Sequence, residues 1–495
     1  MALVPRGDCG SDPSWQPTVS AYMAANTDQE LSNWWKNIVL SPHTSFANEL
    51  GRSFGNHVNS FECRIGDSSS CGMPGCSSYQ DVGDPAWAFQ ALTSTINLNT
   101  LFNSIYTGIS NGQQDYSDLS GKIALTFFPW NNPQFAFGDA AFWIVAALTM
   151  LLAIVPGLLE VTATGLAAFT AAGIQQIAYS LTPDPSMGDT QSLVDMRSYA
   201  AAFGQTSRAT LESWSNDTFS GKEDSQNNTI LNYLAGGSYV ENTNIPSNSE
   251  IEDFYKKQLL SRTINAQWKT RRIFTLFSKT DNTSDTSGPS QTRYYSDGDG
   301  GVYYTYLYHE DSVLKGHLDK PWGLDQLNAS DYNIAGSDIT KASARAWRIG
   351  GFNYTRDMTF KQIQLSVSSN GMLTPYADGA GWIGTWTLPV CDIGTHQWNT
   401  QFGNKTSRYG MLPCCCGPDC KDTAAFVKAA NLHGFQTLLR GCKAQLHGTD
   451  LDFNSIDYGF KWKKSCPLGW AEAPTWKKSL GVVLFPFFLP WICLA

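Results

Sequence analysis

Charged side chains are scarce in this chain of 495 residues, since only 16% are Asp, Glu, Lys or Arg. Lys and Arg number 34 against 43 Asp and Glu, which gives a formal net charge of −9. Because nucleic-acid binding needs clustered Lys and Arg to neutralise phosphates, this balance argues against a nucleic-acid partner. A surface of neutral polar residues in place of Lys and Glu favours an extracellular protein.

Cysteine is missing from the middle of the chain, between Cys76 and Cys391, yet twelve cysteines lie in two terminal groups. An even count in such groups favours disulfides formed in an oxidising compartment. A structural zinc site needs two short Cys/His pairs, and the crowded cysteines at 414–420 have no matching second pair, so disulfides are favoured over metal. The disulfide candidates are Cys9, Cys63, Cys71, Cys76, Cys391, Cys414, Cys415, Cys416, Cys420, Cys442 and Cys466.

Two nucleotide-binding motifs are also missing: the chain has no P-loop and no G-x-G-x-x-G after a strand. His309 and Glu310 begin like a zinc-protease motif, but Val313 stands where the second histidine is needed. His317 follows eight residues after His309 and can meet it only through folding. No catalytic, cofactor or metal residue is predicted, although a hydrolase site assembled from distant residues stays open.

An acidic stretch imitates the start of a calcium loop. Asp297, Asp299 and Gly301 mimic that start, but Tyr308 occupies the position of the bidentate carboxylate. The sequence DGDGG is also typical of a hairpin turn. A turn between strands near residues 292–296 and 302–308 is therefore predicted.

One long hydrophobic run dominates the chain. Residues 140–159 read AAFWIVAALTMLLAIVPGLL, and the small-residue segment that follows Glu160 extends to residue 181 without Lys or Arg. Because about 20 apolar residues cross a membrane core and Pro-Gly marks a turn, a helical hairpin over residues 140–181 is predicted. Its characteristic residues are Ala140, Trp143, Leu148, Leu152, Pro156, Gly157, Glu160, Gly165, Ala168 and Ala172.

Three interpretations of this hairpin stay open: a permanent soluble core, an element that inserts into a membrane on demand, and a permanent transmembrane hairpin. Small residues four apart in the second arm let helices approach closely in lipid or in a core. Amphipathic patterns predict helices over residues 85–109, 190–214 and 249–277, which would pack around the hairpin.

Beyond about residue 280 the pattern changes to short β-type runs, including residues 360–367 and 381–390, with one helix predicted over 423–440. The predicted fold class is α+β, with an N-terminal helical bundle around a buried hydrophobic hairpin and a β-rich, disulfide-stapled C-terminal part. The predicted domains are residues 1–280 and 288–478, followed by a hydrophobic tail at 479–495.

The two ends of the chain are ambiguous. Residues 479–495 fit a buried terminal strand, a short or cleaved membrane anchor, or translated intron. The opening MALVPRG lacks the apolar region of a signal peptide. It resembles a protease-site remnant ahead of a mature chain, and a wrongly assigned start is the alternative.

Six glycosylation sequons are present, and chance alone would give about five. Their placement is more informative than their number, because all fall between residues 216 and 404. A glycosylated C-terminal half is therefore predicted, with acceptors at Asn216, Asn227, Asn282, Asn328, Asn353 and Asn404.

Several short motifs carry a resemblance: ECRIG at 62–66, two following cysteines, DPAWA at 84–88, NLN at 97–99 and the Pro-Gly turn. Across residues 13–181 the chain resembles a family of secreted fungal cysteine-containing proteins with a central hydrophobic hairpin and no characterised activity. The resemblance implies a fungal extracellular origin and a helical domain with a hydrophobic centre. The general layout is also loosely similar to α-helical pore-forming toxins.

These observations together predict a secreted, membrane-active protein, toxin-like or effector-like, that inserts the hairpin into a bilayer. The alternatives are a secreted or surface-anchored structural or binding protein with the hairpin as core, and a hydrolase with its site in the β-rich half. The expected partners are a lipid bilayer, a surface protein or a glycan. No cofactor is expected, and the expected location is extracellular or at the cell surface.

Overall fold

A computed structural model describes much of the chain outside its central and C-terminal segments. The described residues are 12–38, 45–54, 61–66, 71–72, 75–76, 78–79, 83–127, 189–223, 229–241, 247–280, 288–312, 315–355, 358–359, 362, 384–395, 413 and 415–432. The predicted hairpin at 140–181 and the tail at 479–495 lie outside them. Helices and a five-stranded mixed sheet are both present, in agreement with the α+β class.

Internal contacts divide the chain into two units. The first comprises Met1–Ala266, Ala329–Ile334 and Thr355–Thr385, and the second comprises Gln267–Asn328, Ala335–Tyr354 and Trp386–Ala495.

The described part of the first unit is helical. Its helices are α1 (Val19–Ala24), α2 (Thr27–Lys36), α3 (Phe46–Ser53), α4 (Ala86–Phe127), α5 (Asp189–Ser220), α6 (Ile230–Leu234) and α7 (Asn248–Thr270), with 3-10 turns at Pro13–Trp15 and Ala235–Gly237. The last four residues of α7, from Gln267, belong to the second unit. None of the helices in the described segments is both long and apolar enough to cross a membrane.

The first half of α4 is the centre of this unit. Every residue from 88 to 99 is buried, so the helix is enclosed on all sides. Three of these residues, Thr93, Ser94 and Thr95, carry hydroxyl groups, and each hydroxyl donates to the carbonyl four residues earlier at 2.8–2.9 Å. Because their hydrogen bonds are made inside the helix, these side chains are buried without the cost of an unpaired hydroxyl.

Two asparagines of α4 bind the backbone of neighbouring segments. The Asn97 side chain donates to the Tyr239 carbonyl at 2.8 Å, and that of Asn99 donates to the Cys63 carbonyl at 2.7 Å. The NLN motif therefore fixes two loops against the central helix.

Farther along α4, two glycines allow close contact with α7. A Cβ atom on Gly108 would lie 2.5 Å from Ile251 Cγ2, and one on Gly112 would lie 2.9 Å from the Glu252 carbonyl oxygen. Both distances are shorter than a side chain tolerates, so the helices approach here because glycine has no Cβ.

The predicted helices are present, but their ends differ. The helix predicted over 85–109 continues to Phe127, and the one predicted over 190–214 spans Asp189–Ser220. The helix predicted over 249–277 ends at Thr270, so its last part was wrong. Arg272 adopts a left-handed conformation with φ of 61°, which stops the helix, and a strand begins at Ile273.

The second unit contains the sheet. Its strands are β1 (Ile273–Lys279), β2 (Tyr294–Ser296), β3 (Gly301–Ser312), β4 (Lys315–Asp319) and β5 (Val390–Asp392), and its helices are α8 (Gly336–Gly350) and α9 (Thr423–Ala429). The strand order is β2-β3-β1-β5, with β4 also paired to β3. Only β5 runs parallel to its neighbour among these pairs. The predicted β2–β3 hairpin is confirmed, with its turn at residues 297–300.

Both faces of this sheet are covered. On one face Phe274 packs edge-on against Phe426 of α9, with ring centroids 5.1 Å apart. On the other face Phe277 and Tyr303 pack with Ala344 of α8. The alternation of side chains along β1 and β3 therefore supplies two hydrophobic cores, one on each side.

Three other predictions for this region need correction. The helix predicted over 423–440 ends at Ala429, because Asn431 has a φ of 54° and the Leu432 N–H donates to the Val427 carbonyl at 3.1 Å. This is a Schellman stop. Gln362 is helical within the strand predicted over 360–367, and the strand predicted over 381–390 begins only at Val390.

Candidate ligand-binding pocket

A small pocket in the second unit lies beside the C-terminal end of α8. The helix is amphipathic, and its buried face packs on the sheet. It ends at Gly350, and the next residue, Gly351, has φ of 57° and ψ of −137°. An L-residue rarely adopts this conformation, so glycine is required for the chain to turn back here. The turn brings Phe352 and Tyr354 beside Trp347 at the pocket.

The pocket has a volume of about 60 Å³. This is far smaller than a typical drug-sized site of ~300–1,000 Å³, so it suits one small group of a larger molecule. Three of its eleven lining residues are aromatic. The lining consists of Lys269, Ser343, Ala346, Trp347, Gly351, Phe352, Tyr354, Thr387, Leu388, Pro389 and Ala429.

Polar groups converge on one side of this lining. The Lys269 ammonium donates to the Thr387 hydroxyl at 3.4 Å. The buried Ser343 hydroxyl accepts from the Leu388 N–H at 3.3 Å, which ties α8 to the segment before β5. Among the described residues of the lining, Lys269 alone is charged, and no carboxylate, histidine or cysteine is present. A ligand in this pocket can thus form hydrogen bonds through a polar group. The apolar side of the same ligand can stack on an aromatic ring.

The Arg348 side chain contacts Trp347 of the pocket wall. The Arg348 guanidinium lies 4.8 Å from the Trp347 ring centre and 5.0 Å from that of Phe277. Its Nε is 2.9 Å from Asp299 Oδ1 and donates to the Tyr303 hydroxyl at 3.0 Å. Burial, together with the hydrogen bond to Asp299, raises the pKa of Tyr303 well above its ordinary value, so the phenol stays protonated and donates to the carboxylate.

The calcium-like stretch therefore has a structural role in the described chain. Asp299 binds Tyr303 and Arg348 rather than facing an open loop. Residues 297–300 form the turn of the β2–β3 hairpin.

The two histidines of the incomplete zinc-protease motif are brought together. His309 on β3 lies directly opposite His317 on β4, and their rings stack with centroids 5.1 Å apart. Asp319 Oδ2 lies 3.7 Å from His317 Nε2.

Seven of the candidate cysteines are disulfide-bonded. Cys63 pairs with Cys71, Cys391 with Cys416, and Cys415 with Cys420, and Cys76 is also in a disulfide. The remaining candidates lie outside the described residues and are Cys9, Cys414, Cys442 and Cys466.

Three of the six sequon asparagines are described, and all three are exposed: Asn216, Asn328 and Asn353. Asn353 lies between two residues of the pocket wall. The other three, Asn227, Asn282 and Asn404, lie outside the described residues.

Every residue predicted for the membrane hairpin also lies outside the described part of the chain: Ala140, Trp143, Leu148, Leu152, Pro156, Gly157, Glu160, Gly165, Ala168 and Ala172. Conversely, sequence reasoning missed the pocket residues. A helix pattern ending in Gly350-Gly351 was the available indication for α8, but the approach of residues 387–389 depends on the sheet.

The chain matches no known protein family, no curated protein and no solved structure.

Proposed function

We propose that this is an extracellular binding protein whose second unit recognises a saccharide on a surface glycan. The observation that carries this proposal is the pocket wall, in which Trp347, Phe352 and Tyr354 stand beside Lys269 and Thr387. Aromatic faces with a few placed polar groups are typical of sites that hold small organic ligands. The C–H face of a sugar ring fits such a wall, and its hydroxyls fit the amine and hydroxyl opposite.

Two features support the extracellular setting. The disulfides of the described residues are the kind of bond that persists in oxidising compartments. The exposed sequon asparagines are accessible to glycosylation. In this proposal, the Cys391–Cys416 and Cys415–Cys420 bonds staple the segment of α9 to the sheet, and a helical bundle around residues 140–181 forms the N-terminal part.

Replacing Trp347 with alanine should weaken glycan binding about tenfold, since one aromatic contact contributes about 1–1.5 kcal/mol. Binding of the full chain to a glycan array identifies the saccharide, and titration of that saccharide gives the affinity. Trp35→Ala is the matched control, because Trp35 is half-buried in an aromatic cluster of the first unit. An equal loss in both variants, or no saccharide bound by the unaltered chain, would contradict the proposal.

Membrane insertion is the second candidate function, and the uncharged run of residues 140–159 favours it. In this proposal the helices around residues 140–181 shield the hairpin in water and release it at a target bilayer. The pocket would then select the target surface. The described lining offers no carboxylate, histidine or cysteine, so it lends no support to a hydrolase.

Leakage of dye from liposomes tests the insertion proposal. We expect the full chain to release dye from vesicles at some pH between acidic and neutral, and Leu148→Lys to reduce that release severalfold, because a lysine in mid-membrane costs about 2.5–3.5 kcal/mol. Leu125→Lys is the control, since Leu125 is already 68% exposed on α4. Absence of leakage with every lipid composition, or equal leakage by Leu148→Lys, counts against insertion.

A further inference from the structure

We propose that His309 and His317 form a binding site for a divalent transition-metal ion, separate from the pocket and independent of the proposed function. The two residues are register partners of the antiparallel β3–β4 pair. Side chains that lie directly opposite in such a pair have Cβ atoms about 4.5–5.5 Å apart. Two imidazoles at this spacing can reach one ion.

The observed ring geometry agrees with this spacing. The imidazole centroids are 5.1 Å apart, and the ring planes differ by 28°, so the rings lie side by side on one face of the hairpin. In the proposed site, one nitrogen of each ring would bind the shared ion. His317 is only 6% exposed, which limits the positions its ring can adopt.

The Asp319 carboxylate lies beside the histidine pair. Asp319 is two residues after His317 and therefore lies on the same face of β4. Its Oδ2 is 3.7 Å from His317 Nε2. Metal-binding histidines are commonly oriented by a carboxylate on their other ring nitrogen, so Asp319 is placed to act as a positioning residue.

The identity of the ligands determines the class of ion. Imidazole suits Zn²⁺, Cu²⁺ and Ni²⁺, whereas Ca²⁺ and Mg²⁺ prefer oxygen. Within the described residues no group of three His, Cys, Asp or Glu side chains is arranged to hold a metal. The described residues therefore offer two imidazole ligands to the ion, and Cu²⁺ is the best probe because it binds such ligands most strongly.

Copper titration of the full, disulfide-bonded chain tests the proposal. We expect Cu²⁺ binding that is weakened about tenfold or more by His309→Ala and by His317→Ala, each of which removes one ligand. His447→Ala removes a histidine elsewhere in the chain and should leave this binding unchanged. Electron paramagnetic resonance of the copper-loaded chain should show two imidazole nitrogens, and only one after either substitution.

Asp319→Asn separates a positioning role from a general loss of structure. It keeps the shape of the side chain and should lower copper affinity while both nitrogen couplings stay visible. Urea unfolding of each variant verifies that the chain is folded. Unchanged copper affinity in the double variant His309→Ala/His317→Ala, or a spectrum without two nitrogens in the unaltered chain, would overturn the site. Neither result bears on glycan binding.

Discussion

Replacing Trp268 with alanine is expected to lower the free energy of unfolding of the second unit by about 3–5 kcal/mol, the usual cost of removing a buried tryptophan. Trp268 is fully buried, and its ring centroid lies 5.5 Å from that of Trp386, which is equally buried. The substitution removes this aromatic contact and leaves a cavity that the neighbouring ring cannot fill.

Urea unfolding followed by circular dichroism measures this effect. Trp268→Phe keeps an aromatic ring and should cost clearly less than the alanine variant. Trp35→Ala, at a half-buried tryptophan of the first unit, should also cost less. If all three variants unfold at the same urea concentration, Trp268 does not have the central packing role that its burial indicates.

Removing the Cys391–Cys416 disulfide by replacing both cysteines with alanine is expected to cost about 3–4 kcal/mol. The bond closes a loop with a sequence separation of 25 residues, and closing a loop of this length restricts the unfolded chain by about that free energy. It also joins β5, a strand of three residues, to the segment that covers one face of the sheet. Loss of the bond should therefore loosen this covering segment first.

The neighbouring disulfide provides a matched control. Cys415 and Cys420 are nearly as buried as the first pair, but their sequence separation is only 5 residues. Replacing them should cost about 2 kcal/mol on the same argument. Urea unfolding of both double variants under oxidising conditions compares the two. An equal or larger loss for the short loop would show that local packing, rather than chain entropy, dominates.

The boundary between α7 and β1 shows why part of the fold could not be predicted from the sequence. Ile273, Leu276 and Phe277 are spaced as on one face of a helix, and the pattern before them is helical. Ile273 is β-branched and Phe277 is aromatic, so the same segment suits a strand equally well. Their pairing with β3 decides between the two, and that pairing joins segments about 30 residues apart.

Sequence patterns predicted an element correctly where neighbouring residues alone determine its structure. The DGDGG stretch between two β-type runs identified the β2–β3 hairpin, because its residues tolerate the positive φ that a hairpin turn needs. The predicted end of α9 was wrong, although the sequence contained a local signal for the observed end. Asn431 tolerates the left-handed conformation that stops a helix.

The sites were less predictable than the fold. Trp347 and Phe352 come from one stretch of chain, but the residues that complete the pocket include Lys269 and Thr387, which only the folded sheet brings near them. Similarly, the spacing of eight residues between His309 and His317 was visible, whereas the register that places them opposite one another was not.

The enclosed part of α4 has a consequence for the ancestry of the chain. Most helices have a solvent face, and its positions, which recur every three or four residues, accept many different side chains. Residues 88–99 have no such face. A distant relative of this protein should therefore keep side chains of similar volume across the whole stretch, with hydroxyl and methyl groups exchanged where, as at Thr95, the hydroxyl donates to a carbonyl of its own helix. Side-chain volumes that are kept at every position of this stretch, rather than at every third or fourth one, would identify a homologue.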